Sequence, residues 1–170
     1  MIIVSPLSAV QSLVDAHGVS HVVSLLGPET PHKTFTGIEE GKHLKLTFHD
    51  IIAPMDGFVA PAPEDVETLV TFLKEWERST PMLIHCWAGI SRSTAAAFTA
   101  MCLHHPQTDE FALARQLRVH SHVATPNRRI VAYADDILGR KGRMVDAVDA
   151  IGRGADAYEG VIFQWRMIPA

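Results

Sequence analysis

Cysteine is scarce in this sequence. Cys86 and Cys102 are the two present among 170 residues, too few for the disulfide framework on which small secreted domains rely. We therefore expect a reducing, cytoplasmic setting in which a free thiol persists. Any thiol chemistry must fall on one of these two residues.

Long apolar runs and a strong net charge are missing as well. No stretch of about 18 apolar residues occurs, so no membrane span is predicted, and the first residues lack the pattern of a signal peptide. The net charge of −4 argues against nucleic acid as a partner, because phosphate backbones attract basic proteins. A small phosphate site is still compatible with it, since such a site needs only local positive charge.

Apolar residues make up 47% of the chain, and its length suits one compact domain, which we assign to residues 1–170. The ten histidines include His104-His105 and His120-x-His122, but neither joins a Cys or Glu pattern of known ligand geometry. We predict no metal and no cofactor. The basic clusters at 128–129 and 140–143 are interpreted as solvated faces or helix-end charges.

Apolar periodicity predicts an α/β protein. Strands are predicted at residues 2–4, 21–26, 44–48 and 82–84, the last fully apolar and so central in a mostly parallel sheet. Helices are predicted from Pro6 to Gly18 and at 64–78, 93–104, 109–121, 126–138 and 144–151. This order predicts a three-layer sandwich with about four strands flanked by helices and a helical C-terminal half. It assigns no role to residues 142–170.

The densest chemical signal follows the last predicted strand, in the run His85-Cys86-Trp87-Ala88-Gly89-Ile90-Ser91-Arg92-Ser93. Ala88 and Gly89 allow close approach of the backbone to a ligand. The loop amides and the positive end of the next helix would cradle a tetrahedral oxyanion. Arg92 offers a planar fork that matches phosphate oxygens.

The positive potential of the loop amides, the helix end and Arg92 would also act on the cysteine. Thiols at helix N-termini or beside cations ionise more readily, so we expect Cys86 to be a thiolate nucleophile. Ser93 would donate a hydrogen bond to the sulfur, and His85 would brace the loop. In isolation Cys86 could be a core residue, which is how we interpret Cys102.

Cys86 and Arg92, with five residues between them and His85 in front, resemble the signature of the protein tyrosine phosphatase superfamily. The ending Ser91-Arg92-Ser93 is similar to the dual-specificity branch, whereas the classical branch usually has Gly-Arg-Thr there. The order of elements over residues 44–138 fits this resemblance.

The resemblance implies metal-independent phosphomonoester hydrolysis through a cysteinyl-phosphate. The implied substrate is phosphotyrosine in proteins, with phosphoserine, phosphothreonine and small phosphomonoesters as further candidates. The phosphate would bind to Trp87, Ala88, Gly89, Ile90, Ser91 and Arg92. A general acid is also implied, an aspartate on a loop after an earlier strand; Asp50 and Asp56 are candidates, and we favour Asp50.

Other functions stay open. A pseudophosphatase that binds phosphorylated partners without turnover would be favoured if neither aspartate reaches the pocket. Inositol phosphates and phosphoinositides usually call for extra positive charge in the loop, and residues 87–91 supply none. A rhodanese-like or arsenate-reductase-like enzyme fits Ser93 and the following helix less well.

Asn127 resembles a residue of dual-specificity members, but a helix N-cap explains it equally. The direction of Trp87 and the oligomeric state are not indicated.

Overall fold

The computed structural model describes residues 1–167. In this range five strands form one sheet: β1 (Ile2–Pro6), β2 (His21–Leu26), β3 (His43–Thr47), β4 (Met82–Cys86) and β5 (Phe163–Trp165). Six α-helices flank the sheet: α1 (Val10–His17), α2 (Pro63–Glu75), α3 (Arg92–His104), α4 (Glu110–His120), α5 (Arg128–Ile137) and α6 (Arg143–Ile151). Short 3₁₀ turns occupy Leu7–Ala9 and Glu40–Lys42.

The sheet order places β4 in the middle of the sheet. The order is β3-β2-β4-β1-β5, and β4 runs parallel to both β1 and β2. Only β5, among the described strands, is antiparallel to its neighbour, with Ile2 opposite Trp165. Ligands of open parallel sheets bind beyond the carboxyl ends of the strands. Cys86, the last residue of β4, lies at that edge.

The two faces of the sheet carry different layers of helix. Ile3, on one face of β1, packs with Val10 and Val14 of α1. Ile2 and Val4 point to the other face, because side chains alternate along a strand, and join the larger core formed with α2 to α6. The predicted three-layer α/β sandwich with a helical C-terminal half is confirmed. None of the helices in residues 1–167 is long and apolar enough to cross a membrane.

The structure differs from the sequence-based expectations in three details. The sheet has five strands rather than about four, since β5 is three residues long and alternates too briefly to give a signal. Pro6 ends β1 opposite Cys86 instead of opening a helix. Arg140, expected in a solvated cluster, is buried and donates to Glu110 Oε1 at 2.9 Å and to the Cys102 carbonyl at 2.6 Å.

Candidate active site

Residues 87–91 form a loop between β4 and α3 whose carbonyls are engaged on its outer side. These carbonyls accept backbone hydrogen bonds from four residues in three distant segments: Trp87 from Leu7 (3.1 Å), Ala88 from Gly160 (2.7 Å), Ile90 from Thr125 (3.0 Å) and Ser91 from Asn127 (3.2 Å). With the carbonyls held outward, the peptide amides are free to face the inside of the loop. Such a ring of amides at a helix N-terminus is an anion cradle.

Two features of position 89 require glycine: its backbone conformation and the closeness of neighbouring backbone atoms. Its φ is +74°, in the left-handed region that favours glycine. A Cβ at this position would lie 2.7 Å from the backbone of Ser5 and Pro6. The close approach predicted for this glycine is thus made, in the structure, to the end of β1.

The sulfur of Cys86 lies inside the loop. The residue is 2% exposed, and its Sγ accepts a hydrogen bond from the Gly89 amide at 3.2 Å. The Ser93 hydroxyl lies 3.2 Å from the same sulfur. Both groups can donate to a thiolate, which is the contact predicted for Ser93.

Arg92, the first residue of α3, is buried and only partly paired. Its Nη1 donates to the Phe48 carbonyl at 2.8 Å. Its Nε is buried and has no hydrogen-bond partner among residues 1–167. A buried guanidinium N–H without a partner is costly. Arg92 therefore keeps a donor suited to an anion, which fits a phosphate oxygen.

Asp50 lies against the same loop. Its Oδ1 accepts hydrogen bonds from Ser91 Oγ and from Asn127 Nδ2, both at 2.7 Å. Asn127 Oδ1 also caps α5, accepting from the amides of Arg129 and Ile130 at 3.1 Å. The N-cap explanation of Asn127 is confirmed, and the same side chain also contacts Asp50. Asp56 lies farther along, as an exposed residue in a turn.

The segment that carries Asp50 is closed at its base by His49. The His49 amide donates to the Val59 carbonyl at 2.7 Å, and the Val59 amide donates to His49 Nδ1 at 2.8 Å. The His49 ring packs edge-on against Phe58, with centroids 4.8 Å apart, and its Nε2 bonds Glu29. Residues 50–58 therefore form an anchored loop.

His85 belongs to a buried hydrogen-bonded chain that the sequence did not reveal. Its Nε2 lies 2.6 Å from Ser24 Oγ, which in turn lies 2.7 Å from His43 Nε2. Its Nδ1 lies 3.2 Å from the Cys86 carbonyl. Burial lowers the pKa of His85 to about 4, with Arg92 among the smaller causes. A neutral ring that donates from Nδ1 and accepts at Nε2 satisfies both neighbours, as a brace requires.

The side chains of Trp87 and Cys102 take no part in the contacts described above around Cys86 and Asp50. Trp87 is 42% exposed and packs edge-on against Tyr158 at the surface. Burial raises the pKa of the Cys102 thiol, as expected of a packing residue. In residues 1–167 no group of three or more His, Cys, Asp or Glu side chains is placed to hold a metal ion.

The family model for protein-tyrosine phosphatase matches residues 51–128, which contain Cys86, Arg92, Ser93 and Asn127. Over this stretch, which is just under half of the chain, the sequence is similar to protein-tyrosine phosphatases. Its fold is similar to that of solved dual-specificity phosphatase structures. No curated protein sequence matches the chain.

Three solved phosphatase structures illustrate this shared fold. DUSP15 is 14% identical, with 88% of this chain and 89% of that chain covered and a TM-score of 0.60. Human DUSP28 is 16% identical, with 82% and 92% covered and a TM-score of 0.62. PTPMT1 is 17% identical, with 84% and 94% covered and a TM-score of 0.57. At these identities the likeness concerns the fold.

Proposed function

We propose that this protein is a metal-independent phosphomonoester phosphatase with Cys86 as its nucleophile. Phosphotyrosine in proteins is the preferred substrate class, with phosphoserine and phosphothreonine as further candidates. The observation that carries the proposal is the convergence of three groups on the 87–91 loop: the Cys86 sulfur, the buried unpaired Nε of Arg92 and the Asp50 carboxyl group.

In the first step the Cys86 thiolate attacks phosphorus and the bond to the leaving oxygen breaks. Asp50 gives its proton to that oxygen. The loop amides and Arg92 hold the equatorial oxygens as charge develops on them. The product alcohol leaves, and the phosphoryl group stays on sulfur.

In the second step water attacks the cysteinyl-phosphate. Asp50, now a carboxylate, takes a proton from the water, and the phosphorus–sulfur bond breaks. The Ser93 hydroxyl, 3.2 Å from Sγ, stabilises the departing thiolate. Inorganic phosphate leaves and Asp50 is protonated again.

Phosphoinositides are the second candidate substrates. PTPMT1, similar in fold, has a structure in complex with PI(5)P. In this chain a groove of about 420 Å³, lined by residues that include Ile52, Arg128 and Arg153, lies beside the start of α5. Arg128 is engaged there with Asp149 at 2.9 Å, and residues 87–91 carry no cation, so we place this class second.

A pseudophosphatase is the remaining alternative. It requires that no acid reach the pocket, and the hydrogen bond between Asp50 and Ser91 counts against it. We further propose a cytoplasmic location, because a reducing compartment keeps the Cys86 thiol free.

The test is hydrolysis of p-nitrophenyl phosphate by the wild type and by Cys86→Ser, each with and without a chelator. We expect turnover that resists the chelator, is inhibited by vanadate and is lost in Cys86→Ser. Activity retained in Cys86→Ser would overturn the assignment. Vanadate binding without any turnover would favour the pseudophosphatase. A screen of phosphopeptides, phosphoinositides and inositol phosphates then ranks the substrates.

A further inference from the structure

The segment after α6, residues 152–165, runs along the outer side of the 87–91 loop. It ends in β5, which pairs with β1. Before that, the Gly154 amide donates to Thr125 Oγ1 at 3.0 Å, and the Gly160 amide donates to the Ala88 carbonyl at 2.7 Å. The segment is therefore fixed both to the sheet and to the loop.

Gly160 lies so close to the loop that only glycine fits. A Cβ there would lie 2.4 Å from the Gly89 carbonyl oxygen and 3.1 Å from that of Ala88. Because Gly160 is fixed in this way, the position of Tyr158, two residues earlier, is set relative to the loop. Glu159 adds a further link, accepting a hydrogen bond from Ser8 at 3.1 Å.

Tyr158 and Trp87 form an aromatic pair at the Cys86 end of the loop. Their ring centroids are 5.3 Å apart and the planes meet at 82°. Tyr158 is 79% exposed and Trp87 is 42% exposed. Trp87 directly follows the nucleophile in the chain, so the pair presents uncovered aromatic surface next to the anion cradle.

Exposed apolar side chains are concentrated around this loop. Nine large ones are exposed among the described residues, and eight lie in residues 52–59, on the 87–91 loop or on the C-terminal segment; Val119 of α4 is the exception. Apolar surface that stays exposed in one region marks a binding site more often than chance placement does. Here the two segments that carry most of it are bonded to the loop, one through Asp50 and the other through Gly160.

We infer that Tyr158 and Trp87 determine specificity by contacting the aromatic ring of an aryl phosphate, so that phosphotyrosine is preferred over phosphoserine. This inference rests on the proposed function, whose pocket the pair borders. A phenyl ring between phosphate and peptide can pack edge-on or offset against the pair. In phosphoserine a single methylene separates the phosphate ester from the peptide, which leaves no ring to contact the pair.

The test measures binding of two peptides that differ only in carrying phosphotyrosine or phosphoserine, by calorimetry on Cys86→Ser protein. Further variants on this background are Tyr158→Ala, Tyr158→Phe and the matched control Val119→Ala. We expect Tyr158→Ala to weaken phosphotyrosine binding roughly three- to tenfold, the size of a ring–ring contact. Phosphoserine binding should change less than about twofold by the same reasoning, and Tyr158→Phe and Val119→Ala should keep the preference.

Equal losses for both peptides would mean that Tyr158 only supports the loop, and this would overturn the inference, as would no change for either peptide. Failure of both peptides to bind would overturn it as well. Turnover of p-nitrophenyl phosphate by the wild type is scored separately. Its absence alongside a Tyr158-dependent binding preference would remove the proposed function and leave the recognition site standing.

Discussion

At the residue scale, the arrangement around Asp50 is the most specific feature of the site. Two donors, Ser91 Oγ and Asn127 Nδ2, both reach the same carboxyl oxygen, Oδ1. This fixes the orientation of the carboxyl group and leaves Oδ2 as the atom able to carry a transferable proton. A group held this way beside the cradle is suited to general acid and base catalysis.

Replacing the two candidate acids separately tests this assignment. Asp50→Ala should lower kcat for phenyl phosphate, a substrate with a poor leaving group, by about 10²–10⁴-fold, because the leaving oxygen goes unprotonated. With p-nitrophenyl phosphate the loss should be smaller. Asp56→Ala is the matched control, and steady-state rates on both substrates are the measurement. A loss of this size in Asp56→Ala, with Asp50→Ala near wild type, would transfer the role to Asp56.

Asn127 allows its two roles to be separated. Asn127→Ser keeps an oxygen that can cap α5 but removes the amide donor to Asp50, whereas Asn127→Ala removes both. We expect Asn127→Ser to retain most of the stability, and Asn127→Ala to lose about 1 kcal/mol of unfolding free energy as the cap is lost. Both should slow turnover of phenyl phosphate. Urea unfolding and kinetics distinguish these effects, and full activity in Asn127→Ser would show that Asp50 does not depend on this hydrogen bond.

At the element scale, contacts made far along the chain set the shape of the 87–91 loop. The loop is short, yet its carbonyls accept hydrogen bonds from the backbone amides of residues 7, 125, 127 and 160. The C-terminal segment is one of these, and Gly160 is the point at which it touches the loop.

Gly160→Ala tests whether that contact shapes the site. The added Cβ would lie 2.4 Å from the Gly89 carbonyl, and relieving the clash should cost about 1–3 kcal/mol, part of it as displacement of the loop. Vanadate affinity should fall roughly tenfold, which corresponds to about 1.4 kcal/mol. Gly41→Ala, where a Cβ meets nothing within 4 Å, is the control. Unchanged vanadate affinity in folded Gly160→Ala would contradict this role.

Features set by neighbouring residues, such as strand and helix bounds, could be predicted from the sequence. Hydrogen bonds between residues far apart in the chain could not. β2 was predicted at its observed bounds, and α3 and α6 to within one residue, because apolar periodicity is a property of neighbouring residues. The motif from Cys86 to Ser93 is likewise contiguous. The Arg92 bond to the Phe48 carbonyl spans 44 residues and leaves no pattern in either segment. The same holds for the link between Ser24 and His85, 61 residues apart.

At the scale of the whole molecule, buried histidines make stability depend on pH. Ser24 connects His85 and His43 between neighbouring strands of the sheet. Burial is the main cause that lowers the pKa of each to about 4, with Lys45 adding to the effect at His43. Burial also lowers the pKa values of His21, His32, His104, His105 and His120.

The sign of the dependence follows from these shifts. The ordinary histidine pKa is 6.5, and the two histidines in the sheet titrate at about 4 in the folded protein. Between these values the unfolded chain binds protons that the native state does not, so stability rises with pH across this window and is flat above it. For His85, which is fully buried, the loss on acidification to pH 4 is on the order of 3 kcal/mol.

Urea unfolding of the wild type at pH 7.5, 6.5, 5.5 and 4.5 should therefore show a midpoint that is steady down to about pH 6.5 and then falls. His43→Gln should reduce the fall, because glutamine can still bond Ser24 but takes up no proton. His122→Gln, at an exposed position, is the control and should follow the wild type. His85 itself is left unchanged, since replacing it would disturb the loop beside Cys86.

Equal midpoints at pH 7.5 and 4.5 in the wild type would show that the buried histidines do not oppose protonation. If the urea midpoint fell with pH equally in the wild type and in His43→Gln, protonation of His43 would not contribute to the loss of stability.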